Sequence, residues 1–255
     1  MGKFKFSIMV LSIFLLNLLI PAVVNAEDDF EVVSEDIKYY KTVVRENIFN
    51  TYSINSNYGY DIETVEVTKE EYDAFNPATA VQPSASSTVE TTYKYMHTTL
   101  LSNGSYYRYK NYLSWKNMPA TRSYDVIGIG FLSNVKLASS MTFTQEYCNA
   151  NGVCYNTYSH NPWVGATGAA TAFALPTGTL SMLNQTMYFD VTKNTSSTIT
   201  SQHAYGDYSH AQSSVSLSNV FGFEVHGNAG ISLPSSVKSS YDAISVTNAS
   251  WSGSW

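Results

Sequence analysis

The residues that could do chemistry fall into three short stretches. EYCNANGVCYN, Glu146 to Asn156, holds both cysteines of the chain; SQHAYGDYSHAQ holds His203, Asp207 and His210; FEVHGN holds Glu224 and His226. A reactive dithiol usually keeps only two residues between its cysteines, and a zinc site needs further ligands close by. Neither condition is met around Cys148 and Cys154. A hairpin staple fits better. With Ala150, Asn151 and Gly152 as a three-residue loop, Gly152 takes the left-handed position, Asn149 closes against Val153, and Cys148 faces Cys154. That facing pair is non-hydrogen-bonded, with Cα atoms about 4.5 Å apart, a separation a disulfide accepts. A disulfide between Cys148 and Cys154 is expected, and its short loop limits the stabilisation to roughly 2 kcal/mol.

His203, Asp207 and His210 stand at i, i+4 and i+7, which on a helix would converge and could hold zinc. Gly206 and the surrounding Ser and Tyr residues favour strand and turn instead. On a strand His203 and Asp207 share a face and His210 points away, so polar positions near a turn are expected. Glu224 and His226 share a strand face opposite Phe223 and Val225. They could act as an acid/base pair, although such i, i+2 pairs on exposed faces are commonplace. Asp190 and Glu224 are among the seven carboxylates after residue 76, but spacing alone does not bring two of them together as a glycosidase requires. HExxH, GxSxG, Walker A and dinucleotide glycine motifs are absent from the sequence. No catalytic residue, metal site or cofactor is expected.

Lys3 and Lys5 precede an apolar run from Ile8 to Ile20, and Val24-Asn25-Ala26 ends it with small residues, the pattern of a signal peptide cleaved between Ala26 and Glu27. Export agrees with an oxidised cysteine pair. Residues 27–76 form an acidic extension or propeptide, with 13 acidic and four basic residues, and 77–92 read as a Pro/Ser/Thr/Ala-rich linker. An ordinary extension is the default reading; a mature form starting near residue 80 would favour a propeptide. Inside the extension, Thr68 and Glu71 in TKEEYDAF make a capping box for a short helix. The remaining 93–255 alternate with period two between Gly, Asn, Ser and Pro turns. YDVIGIGF aligns Ile127, Ile129 and Phe131; MTFTQEYC aligns Met141, Phe143 and Tyr147; MYFDV aligns Met187, Phe189 and Val191. SSVSLSNVFGFEV reads as a further strand, and the tail from Tyr241 to Trp255 as a closing one. The fold class expected is all-β: an antiparallel β-sandwich, jelly-roll or Ig-like, with a short mixed α/β or poorly ordered N-terminal extension.

The Ala/Gly-rich stretch from Trp163 to Gly178 fits a tightly packed buried strand, a flexible loop or, with its weak alternation, less well a membrane-inserting hairpin. Asn103-Gly104 marks a hairpin turn. Beyond it, Arg108, Lys110 and Lys116 alternate with Tyr107, Tyr109, Leu113 and Trp115. Tyr93, Tyr95, Tyr107 and Tyr109 read as one stripe, either the inner face of the sandwich or a stacking platform for sugars. Arg108, Lys110 and Lys116 form a possible ligand surface for anionic wall polymers. The formal charge is −6, or −8 without Lys3 and Lys5, which argues against nucleic acid. The function expected is a secreted, non-enzymatic protein that binds an extracellular or cell-envelope ligand, with carbohydrate or wall polymer favoured and no stable membrane anchor. A secreted hydrolase using Asp, Glu and His residues, or a membrane-acting toxin released from an acidic pro-segment, are the alternatives.

Overall fold

The computed structural model describes residues 30–46, 60–76, 89–242 and 244–255. The expected signal peptide, with its cleavage at Ala26 and Glu27, lies outside the described residues, as does the linker up to residue 88. The molecule is an all-β, antiparallel sandwich of two main sheets. The larger follows the order β2 (Tyr60–Val67), β1 (Glu31–Glu46), β3 (Val89–Ser102), β4 (Tyr107–Trp115), β11 (Leu180–Lys193), β7 (Thr142–Asn149), β8 (Cys154–Thr157), with β6 (Val135–Leu137) also pairing β11. The smaller runs β15 (Thr247–Ser252), β12 (Ser201–Ser209), β5 (Tyr124–Phe131), β10 (Gly168–Ala174), β9 (Asn161–Val164). Their facing sides share one core, in which Met96, Leu100, Tyr109 and Phe189 of the large sheet meet Ile127, Ile129, Phe131, Phe173 and Ala204 of the small one. β4 alternates buried with half-exposed residues along its whole length, as a strand with one core face must.

The acidic segment enters the large sheet directly. β1 pairs with β3 from Glu31 opposite Ser102 to Arg45 opposite Val89, so Val89 to Thr92 at the end of the expected linker are already strand. The helix α1 (Lys69–Ala74) forms where the capping box places it, and Thr68 Oγ1 accepts from Glu71 N at 3.2 Å. Its buried face is Tyr72, whose ring packs 4.9 Å from Tyr39 and 5.9 Å from Tyr95.

A third layer covers the outer side of the small sheet. Val215, Val220, Phe223, Val225, Val237 and Tyr241 pack on Val126, Ala170 and Ala172. Small residues on β5 and β10 permit this approach: a Cβ on Gly130 would meet the Gly227 carbonyl oxygen at 1.9 Å. The middle of the Ala/Gly-rich stretch, Gly168–Ala174, is therefore a buried strand, β10. SSVSLSNVFGFEV is not a strand: Leu217–Val220 form a helical turn, α2, and only Glu224–Val225 are extended, as β13, which pairs with β14 (Ile231–Ser232). Gly222, at φ 102°, turns the chain between them. The closing strand of the tail forms as expected and pairs with β12.

The cysteine hairpin forms with its expected register. Cys148 pairs with Cys154, Asn149 N donates to Val153 O at 2.9 Å, and Gly152 sits at φ 77°. The sulfurs are bonded, with Cα atoms 3.9 Å apart.

Candidate functional site

Two places gather side chains that could do work: the outer face of the large sheet, and an ionic cluster buried at one end of the sandwich. On the outer face, cross-strand register builds rows. His97, Tyr112, Thr186 and Thr144 stand opposite one another across β3, β4, β11 and β7. Tyr95, Ser114, Asn184 and Glu146 form the next row; Ser114 Oγ donates to Asn184 Oδ1 at 2.8 Å and Asn184 Nδ2 to Glu146 Oε2 at 3.4 Å. Thr99, Lys110, Tyr188 and Thr142 form a third. Tyr95, Tyr112 and Tyr188 therefore run diagonally, one ring per strand, and all three are half-exposed. Tyr95 and Tyr112 lie 5.8 Å apart. Burial first, then the neighbouring Tyr112 hydroxyl, pushes the Tyr95 phenol up to about 12. Beside this diagonal, His97 Nε2 is 2.9 Å from Glu35 Oε2.

The expected basic surface is differently occupied. Arg108 does face outward but makes a two-pronged contact to Asp190, at 2.7 and 3.3 Å, with its guanidinium 4.8 Å from the centre of the Tyr188 ring. Lys116 donates to the carbonyls of Tyr72 and Asp73, closing the C-terminal end of α1. Lys110 lies between them on the same face. The four-tyrosine stripe also divides. Tyr107 and Tyr109 face the core, while Tyr93 and Tyr95 lie on the opposite side of the sheet, beneath and beside α1. β3 and β4 are joined by an even number of residues, with Ser102 opposite Tyr107. Odd-numbered residues of one strand must then share a face with even-numbered residues of the other.

The histidine and aspartate candidates end up apart. His203 is half-buried at the small sheet, 3.1 Å from Asn248 Oδ1 and stacked on Tyr205. Asp207 is buried, and its carboxyl accepts from Tyr208 N at 2.6 Å and from Ile231 N. Desolvation pushes its pKa up to about 7, against the two backbone donors that pull it down. Glu224 and His226 meet at 2.8 Å, both more than half exposed. No group of three His, Cys, Asp or Glu side chains able to hold a metal occurs among the described residues.

His210 belongs to the buried cluster, which sequence spacing did not reveal. Its Nδ1 lies 2.9 and 3.1 Å from the two carboxyl oxygens of Asp125, and its backbone N donates to Asp242 Oδ1 at 2.7 Å. Asp125 also accepts from the Tyr208 hydroxyl and from Ala211 N. Lys94 on β3 donates to Asp242 Oδ2, with its Nζ 4.8 Å from the centre of the Trp115 ring and 5.5 Å from that of Tyr208. Asp125 and the side chain of Asp242 are 0% exposed and Lys94 is 1% exposed. Buried charges of this kind persist only when paired. Nothing in the sequence marked this lysine, because a strand that turns Tyr93 and Tyr95 inward sends Lys94 outward.

The chain matches no protein-family model. No curated protein matches it either.

Proposed function

We propose that this is a secreted, non-enzymatic binding protein whose outer sheet face takes an extended carbohydrate. The observation that carries the reading is the diagonal of Tyr95, Tyr112 and Tyr188, one half-exposed ring on each of three adjacent strands. One ring on each of three successive strands, each a row further along, sets the rings in a line across the sheet, which suits an extended ligand. Aromatic faces offer apolar area for the C–H faces of sugar rings. The flanking Thr186, Thr144, Ser114, Asn184 and Glu146 offer donors and acceptors on either side for hydroxyls. Because Arg108 is satisfied by Asp190 and Lys116 by the helix end, a neutral glycan is favoured over an anionic wall polymer. Asp125, Asp207 and His210, which a hydrolase would need open to substrate, are buried, and that disfavours this alternative; the exposed Glu224–His226 pair is what remains to it.

A glycan panel and isolated cell wall, probed with the mature protein, test this. Retention is expected on at least one neutral polysaccharide. Tyr112→Ala and Tyr188→Ala should each weaken it about tenfold, the equivalent of roughly 1.4 kcal/mol. Retention on neither support, or retention unchanged in both variants, would remove the proposal.

A further inference from the structure

We infer that Lys94 and Asp242 become joined by an isopeptide bond between Lys94 Nζ and Asp242 Cγ. Four observations converge on this pair. The two side chains are in direct contact, and both are sealed from solvent. Among the described residues Asp242 is the one hydrogen-bond acceptor of the Lys94 amine; Trp115 and Tyr208 present rings to it instead. An ammonium has three donors to satisfy and an amide nitrogen only one. The two carboxyl oxygens of Asp242 are held in different ways. Oδ2 receives the lysine, whereas Oδ1 accepts from the backbone N–H of His210 at 2.7 Å.

The arrangement defines the reaction. A proton passes from the Lys94 ammonium to Asp242 Oδ2, leaving a neutral amine beside a neutral carboxylic acid. The nitrogen lone pair attacks Cγ, and the negative charge that develops on Oδ1 is held by the His210 N–H, in the manner of an oxyanion hole. The Cγ–Oδ2 bond breaks, Oδ2 takes a second proton from the attacking nitrogen, and one water leaves. The product is a secondary amide carrying one N–H, with Oδ1 as its carbonyl oxygen. No oxidant, reductant or cofactor is consumed. Trp115 and Tyr208 exclude the water that would reverse the step.

Intact mass of the mature protein, measured after reduction of the disulfide and full denaturation, tests the bond. The expected mass is that of the chain less one water, and Lys94→Arg and Asp242→Ala should each restore the full mass. A tryptic digest should contain one branched peptide joining the segment around Lys94 to that around Asp242. Full mass in the unaltered protein overturns the proposal. So does loss of water with Asp242 in a linear peptide, which would place the dehydration within one segment. Because the unaltered protein gives the decisive reading, poor folding of either variant leaves the test intact.

Discussion

At the scale of single residues, burial rather than charge pairing governs the unusual groups. Asp207 is the clearest case, since desolvation raises its pKa from 3.8 to about 7. The folded protein then binds more protons than the unfolded chain between those two values, so stability falls as pH rises through that window. The slope attributable to this group approaches about 1.4 kcal/mol per pH unit within the window and vanishes above it. Urea unfolding at several pH values between 4 and 8 should show this decline, and Asp207→Asn should flatten it. An unchanged slope in the variant would assign the effect to other groups. Phe189 illustrates the ordinary core. It packs 5.8 Å from Phe131 and 6.1 Å from Tyr109, and Phe189→Ala should cost about 3–5 kcal/mol in the same assay.

At the scale of elements, alternation made β4, β5, β7 and β11 legible in the sequence, and a capping box did the same for α1. The cysteine hairpin was legible to the residue, because loop length and the φ requirement of Gly152 leave one register. What alternation does not encode is which face of one strand joins which face of the next. That depends on loop parity, and it is why four tyrosines that look alike divide between two sides. The segment around Val215 to Val225 misled for a related reason. Its apolar residues cover the small sheet through a helical turn and a short hairpin, so their spacing reflects the surface beneath rather than the pleat of a strand. That contact is tight enough to test. Gly130→Ala would force a methyl group into the Gly227 carbonyl, so this variant should lower the thermal midpoint by several degrees and loosen the 222–232 segment to hydrogen exchange. Replacing both cysteines with Ser should cost about 2 kcal/mol, with the rest of the sheet intact.

At the scale of the whole molecule, the acidic segment was the hardest part to read. β1 is 16 residues long, yet it carries charged residues on both sides. Its inward Lys38 pairs with Glu66 and its outward Lys41 with Glu71, so no clean apolar period marks it. Its packing is nevertheless extensive. Tyr40 is 1% exposed and donates to the Ser245 carbonyl near the other end of the chain. A chain starting at Pro77 would lose that contact and leave β3 as an open edge, an invitation to aggregation. Such a chain should be recovered as aggregate by size-exclusion chromatography and be cut rapidly by protease. A soluble, protease-resistant monomer would instead show that residues 27–76 can be shed. The buried ionic cluster was invisible for a different reason, since Lys94 and Asp242 are separated by 148 positions and nothing local marks them as partners.

That separation has a mechanical meaning. The disulfide spans six positions and shields almost no chain from being pulled out. A bond from Lys94 to Asp242 would carry load past everything between them, withholding roughly 500 Å of extensible chain at about 3.4 Å per residue. Stretched from its two ends, the protein should yield only its first strands and its closing strand before the force meets a covalent stop. For a protein tethered to a wall or a glycan under flow, it would be a way to hold on without unravelling.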